Sequence, residues 1–177
     1  DEAGRQLTDA GRALRAAGAE CLLICTNTMH KVADAVETGA GVPLLHIADT
    51  TGDAIRAAGL QRIGLLGTRF TMEEAFYRDR LRERHGIATI IPDAADRARV
   101  HAIIYDELCL GRLLDSSRAE LLAIVDRLAA QGAQGVVLGC TELPLLLQPG
   151  DCTLPSFDTT ELHARAAVAF SLDQVCA

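Results

Sequence analysis

One pattern is spelled twice in this chain, as Gly18-Ala19-Glu20-Cys21-Leu22-Leu23-Ile24-Cys25-Thr26 and as Gly132-Ala133-Gln134-Gly135-Val136-Val137-Leu138-Gly139-Cys140-Thr141. In each copy a helix stops at a glycine, a short unbroken apolar run follows, and Cys-Thr closes it. Such a run reads as a strand covered on both faces, the mark of a parallel sheet. A second marker recurs in the same order: Asp49-Thr50-Thr51 after His46-Ile47-Ala48, and Asp158-Thr159-Thr160 after Pro155-Ser156-Phe157. Asp-Thr-Thr alone would be an ordinary helix cap; two markers in one order make a duplicated unit. Strands alternating with helices then constrain the chain to an α/β architecture. The expectation is two pseudo-twofold-related lobes, each a mostly parallel, doubly wound sheet flanked by helices.

The spacing predicts strands over 21–24, 43–47, 62–67, 88–91 and 136–138. A first helix carries an apolar stripe through Leu7, Ala10, Leu14 and Ala17 and ends at Gly18, and a second ends at Gly39 or Gly41. Capping boxes are read at Thr71 with Glu74 and at Ser117 with Glu120, where side chains satisfy free amide donors. Helices are expected over 94–110 and 117–131, and a last one from Asp158. Lobe one comprises residues 1–48 plus 152–177, and lobe two residues 49–151.

With 49% hydrophobic and only 3% aromatic residues, the core must be aliphatic. A net charge of −7 without a basic stripe argues against nucleic acid. Local backbone donors still permit an anionic small substrate. No apolar run approaches the length of a membrane span, and no signal peptide opens the sequence. The six cysteines include no Cys-x-x-Cys pair, so free thiols in a reducing cytoplasm are expected.

Open α/β sheets place reactive groups at the carboxyl ends of their strands, where Cys25 and Cys140 fall. A thiol before a helix sits near free N–H groups, which are expected to lower its pKa. Two opposed thiols could invert a stereocentre beside a carboxylate, one removing the proton and the other supplying it. No cofactor is needed if donors hold the enediolate, and the single lysine, Lys31, lacks the context of a pyridoxal phosphate (PLP) site. Cys21, Cys109 and Cys176 are read as packing and Cys152 as a loop thiol. His30 has no second Cys/His pair for zinc; it is read as tuning Cys25 or as packing. Arg78, Arg80, Arg82 and Arg84 read as a solvated helix surface, and His101 and His163 as structural.

Cys25-Thr26-Asn27-Thr28-Met29-His30 and Gly139-Cys140-Thr141-Glu142 closely resemble the two signature motifs of the PLP-independent aspartate/glutamate racemases. Gly64-Leu65-Leu66-Gly67-Thr68 and Phe157-Asp158-Thr159-Thr160-Glu161-Leu162-His163 resemble that family as well, most nearly its aspartate and broad-specificity branch. The resemblance implies Cys25 and Cys140 as the acid/base pair. It implies Asn27, Thr28, Thr68 and Thr141 as carboxylate holders and Glu142 as a wall of the site. A basic residue for a distal carboxylate is implied between the lobes, with Arg112 the candidate. A cytoplasmic homodimer follows by the same analogy. The family's opening strand and Gly-rich loop have no counterpart here, so the first lobe is expected to be incomplete, with an unpaired edge at the Cys25 strand. Hydantoin racemase, maleate isomerase and arylmalonate decarboxylase chemistry, or a truncated binding fragment without activity, are the rival readings.

Overall fold

The computed structural model describes residues 2–175, so Cys176 lies outside the described residues. Helix α1 (Glu2–Ala16), strand β1 (Leu22–Leu23), a 3₁₀ turn (Thr28–Val32), helix α2 (Ala33–Ala40) and strand β2 (Leu44–Leu45) form the first lobe. β1 and β2 pair in parallel, Leu22 opposite Leu44. Gly41, at φ +69°, ends α2 in the left-handed conformation that glycine adopts without a Cβ penalty. The expected stripe of Leu7 and Leu14 is not the face that α1 buries. It buries Gly4, Thr8 and Gly11, because α2 approaches too closely for larger groups: a Cβ on Gly11 would lie 2.9 Å from Ala40 Cβ. Leu7, Ala10 and Leu14 rim an open apolar groove beside β1. Among the described residues β1 has no strand on its other side, in line with the unpaired edge expected there.

The second sheet is built from β3 (Arg62–Gly67), β4 (Ala88–Ile90), β5 (Gly135–Gly139) and β6 (Ser156–Asp158), all parallel in the order β4-β3-β5-β6. Alternation along the strands sorts its residues by face. Ile63, Leu65 and Val137 pack with α3 (Ile47–Ala57) and α5 (Ala75–His85), through Ile55, Tyr77 and Leu81. Leu66, Val136 and Leu138 pack on the other face against Val100 of α6 (Ala94–Ala102) and Leu121, Val125 and Leu128 of α7 (Asp115–Ala130). A sheet covered by helices on both faces is the α/β class expected. Helix α4 (Arg69–Glu73), α8 (Leu143–Leu146) and α9 (Thr159–Val175) complete the chain.

Several local expectations need correction. Residues 152–177 do not all fall with lobe one: β6 hydrogen-bonds to β5 in the larger sheet, because β5 has a free edge and Val136 N–H donates to Pro155 O. α9 then reaches back, its His163 Nε2 meeting Leu45 O at 2.7 Å. Thr68, not Thr71, caps α4, accepting from Thr71 N–H. Ser117 lies inside α7, buried, and its hydroxyl donates to Glu107 instead of capping. The predicted helix over 94–110 gives way at Ile103 to a π-helical turn (Ile103–Glu107) and a 3₁₀ turn (Leu108–Leu110). Arg80 is not merely solvated: its guanidinium donates to both Asp49 oxygens, at 2.8 and 2.6 Å. Asp158 caps its helix through Thr160 and Glu161 N–H groups, so the two Asp-Thr-Thr copies do different work.

The extra residue of the second copy has a steric reason. Gly67 and Gly139 are register partners at the ends of β3 and β5. A Cβ on Gly139 would lie 2.8 Å from Leu66 O, and one on Gly67 2.8 Å from Gly139 O. Backbone, not a yielding side chain, occupies the space. Gly139→Ala is therefore expected to lower unfolding free energy by about 1–3 kcal/mol, measured by urea titration; an unchanged midpoint would contradict the close approach.

Three buried histidines bind the lobes together. His30 donates from Nδ1 to Thr26 O at 2.7 Å and accepts at Nε2 from Ile47 N–H at 3.2 Å. His46 accepts at Nδ1 from Ala48 N–H, and its ring centroid lies 4.5 Å from that of His30. Burial pushes His30 down to about 4, although the Thr26 carbonyl partly opposes the shift. Burial and the neighbouring His30 push His46 down to about 3. The unfolded histidines titrate near 6.5, so below that pH the unfolded chain takes up protons first. Their neutral-state stability is complete above about pH 6.5 and is lost on acidification toward the folded values. Denaturant titrations at pH 7 and pH 5 are expected to differ by roughly 2–4 kcal/mol, the acidic sample being the weaker.

Candidate active site

Both Cys-Thr turns open into one cavity of about 490 Å³. The first copy contributes Cys25, Thr26, Asn27, Thr28, Met29 and Lys31, and the second Gly139, Cys140, Thr141 and Glu142. Thr68 and Phe70 enter from the start of α4, and Ile104, Tyr105 and Cys109 from the π and 3₁₀ turns. The structure thus gathers seven of the eight residues named from sequence. Arg112 is the exception: it is exposed and outside the cavity lining, because Gly111 turns the chain away at φ +72°.

Neutral hydroxyls form the polar part of the wall. Thr28 Oγ1 lies 3.2 Å from Thr68 Oγ1 and 3.3 Å from Thr71 Oγ1, with Thr68 and Thr71 at 3.3 Å, so the three share hydrogen bonds. Hydroxyls can rotate to donate to an anion without adding charge. Asn27 is buried and held from behind: Thr159 Oγ1 donates to Leu138 O and accepts from Asn27 Nδ2, each at 3.0 Å. That chain fixes which end of the amide is nitrogen and leaves Asn27 Oδ1 without a protein partner. A residue of the second Asp-Thr-Thr copy therefore orients a residue of the first Cys-Thr loop.

The two thiols stand in unequal surroundings. Cys25 is exposed, whereas Cys140 is buried. Cys140 Sγ donates to Glu142 Oε2 at 2.9 Å, and Thr141 Oγ1 donates to the same oxygen at 2.6 Å. Burial, then this carboxylate, pushes Cys140 up to about 12. The helix-start argument predicted the opposite direction. It fails because α8 is a single turn, with little dipole to offer, while Glu142 places a full negative charge against the sulfur. Cys140 rests as a thiol.

Cys109 was read as packing, yet it is exposed and lines the cavity. The π turn explains the difference, since wider winding rotates every later side chain relative to an α-helix. The turn is locked by Glu107, which accepts from Ser117 Oγ and pairs with Arg99 at 3.2 Å. No feature of Ile103–Glu107 announces this winding, so Tyr105 and Ile104 could not be found from periodicity. Lys31 and Phe70 were overlooked for another reason: each looks like an ordinary surface helix residue until the lobes meet.

Residues 1–167 match the family model for Asp/Glu/hydantoin racemases. The chain belongs to that family. A crystal structure of a candidate Asp/Glu racemase from Yersinia pestis is 51% identical, with a TM-score of 0.91 over 96% of this chain and 74% of its own. An aspartate racemase homologue from Pyrococcus horikoshii is 34% identical, with a TM-score of 0.85 over 94% of this chain and 73% of its own. Glutamate racemase from Francisella tularensis, solved with D-glutamate, shares the fold at 13% identity and a TM-score of 0.74, over 98% of this chain and 65% of its own. Membership, with the Yersinia and Pyrococcus neighbours, supports racemase activity, an isomerase reaction on an amino acid.

In this racemase-family chain no helix among the described residues is long and apolar enough to cross a membrane. No group of three or more His, Cys, Asp or Glu side chains among them could hold a metal ion. The Glu142 contact has a measurable consequence. Glu142→Gln removes the charge beside Cys140, so the thiol pKa is expected to fall from about 12 while burial still keeps it high. Alkylation of Cys140 in a background lacking Cys25 and Cys109 should become faster at mildly alkaline pH; an unchanged rate would mean that burial alone sets the thiol.

Proposed function

We propose that this chain racemises an acidic amino acid, aspartate or glutamate, without a cofactor, using Cys25 and Cys140 as the two proton carriers. The observation that carries this reading is the convergence of both duplicated Cys-Thr strand ends on one cavity. A substrate seated there presents its α-carbon between the two turns. The thiolate of Cys25 takes the α-proton, leaving a carbanion delocalised into the carboxylate as an enediolate. The Cys140 thiol gives its proton to the opposite face of the carbon. The product is the other enantiomer, with Cys25 as thiol and Cys140 as thiolate, and the reverse reaction exchanges the roles.

The hydroxyls of Thr28 and Thr68 serve the α-carboxylate and its enediolate, where preorganised donors lower the barrier most; Thr141, whose hydroxyl is given to Glu142, and Asn27, whose Nδ2 is given to Thr159, line the wall beside them. Glu142 keeps Cys140 protonated at rest, so the enzyme starts with its donor loaded. Between turnovers Cys25 releases its proton to solvent and Cys140 takes one from solvent, the Glu142 charge favouring the Cys140 thiol. Two free thiols suit a reducing cytoplasm, and a homodimer belongs to the same reading.

Cys25→Ser and Cys140→Ser are each expected to lower racemisation by about 10²–10⁴-fold, followed by circular dichroism of the amino acid. The wild-type chain should also exchange the substrate α-proton for deuterium in D₂O, read by proton NMR. Absence of exchange with every acidic amino acid tested would overturn the proposal. The unequal burial of the two thiols favours one rival, a one-cysteine isomerase or decarboxylase; it predicts that only one of the two substitutions abolishes turnover.

A further inference from the structure

We propose that Cys109 is an oxidative modification site: it captures Cys140 in a disulfide when hydrogen peroxide enters the cavity, and racemisation stops. The loss of activity rests on the racemase reading above; the disulfide itself does not. Among the described residues three thiols line the cavity, Cys25, Cys109 and Cys140, and the proposed reaction uses two of them. Cys109 is free and exposed, so a small oxidant reaches it from solvent.

The turn that carries Cys109 also ties it to Cys140. Leu108, one residue earlier, is buried in the apolar cluster that contains Cys140 and Leu143. The 3₁₀ turn Leu108–Leu110 is thereby anchored at its first residue, while Cys109 and Leu110 stay exposed. Glu142 acts on both sulfurs. It accepts from Cys140 Sγ at 2.9 Å, and after burial its charge pushes Cys109 up. Cys109 adds a smaller upward push on Cys140, behind burial and Glu142. The two thiols therefore share one carboxylate in one cavity wall, whereas Cys25 enters on the loop after β1, in the other lobe.

The chemistry balances with one peroxide. The Cys109 thiolate attacks a peroxide oxygen; a sulfur–oxygen bond forms, the oxygen–oxygen bond breaks, and the leaving hydroxide takes up a proton as water. The Cys140 sulfur then attacks the sulfur of this sulfenic acid. A sulfur–sulfur bond forms, the sulfur–oxygen bond breaks, and the hydroxyl leaves with the Cys140 proton as a second water. Each sulfur gives up one electron and the peroxide takes both. Burial and Glu142 keep Cys109 mainly in the thiol form, so the site answers sustained peroxide rather than traces. The disulfide withdraws the proton that Cys140 would donate, and it spares that sulfur the irreversible step to sulfinic acid. Thiol reductants reverse it, as they do other cytosolic disulfides of the redox-sensing kind.

The test treats the reduced full chain with hydrogen peroxide, quenches with catalase and alkylates the remaining thiols. Mass spectrometry of non-reduced peptides should show Cys109 joined to Cys140. Racemisation by the oxidised wild type should fall by about 10²–10⁴-fold, the loss expected for Cys140→Ser, and return with dithiothreitol. Cys109→Ser, compared with its own untreated activity, should show no loss that dithiothreitol recovers. A Cys25–Cys140 or Cys25–Cys109 link in place of the expected one, no link at all, or an equal recoverable loss in Cys109→Ser overturns the assignment. The expected link in a chain that never racemised before oxidation would overturn the racemase reading instead and leave the disulfide standing.

Discussion

The parallel pairing of β3 with β5 closes on two glycines, and the site hangs from that closure. Gly67 and Gly139 let two backbones meet at a distance that no side chain permits. The next residues on each strand are Thr68 and Cys140, so the same contact brings the cap of α4 and a thiol to one cavity rim. In a parallel sheet the pleat admits no sliding by one residue without turning every side chain to the other face. The buried alternation of Ile63, Leu65 and Leu66 against Val136, Val137 and Leu138 enforces that register.

Charge is distributed sparingly around the cavity. One carboxylate, Glu142, holds the proton of Cys140, and one ammonium, Lys31, stands among aromatic and hydroxyl groups. Everything between them is neutral. A wall of threonines can donate hydrogen bonds to an anion without setting fixed charges beside it, whereas carboxylates on both sides would repel it. The buried histidines behind the Cys25 loop follow the same economy: each is neutral, and His30 uses both ring nitrogens on backbone groups. Rigidity near the thiol is thereby obtained without adding a cation.

The duplicated markers revealed the α/β class and the two thiols, and apolar runs revealed five of the six strands among the described residues, because burial on both faces leaves a continuous apolar run. What escaped was governed by contacts between distant segments. Thr68 won the cap from Thr71 because β3 delivers it there. Ser117 was taken from a capping role by Glu107. Arg80 reads as surface until α3 brings Asp49 against it. Cys140 was assigned the wrong pKa direction because a neighbour two residues away outweighed a one-turn helix. Arg112 was named because the resemblance implied a cation, and Gly111 turns it away from the cavity lining.

The π turn at Ile103–Glu107 has an evolutionary reading. Such a turn carries one residue more than the α-helix it interrupts, so a single-codon deletion would restore regular winding. Tyr105 and Cys109 would then rotate off the cavity while both cysteine-bearing loops, borne on other elements, kept their places. That part of the cavity wall can in this way be exchanged in one genetic event.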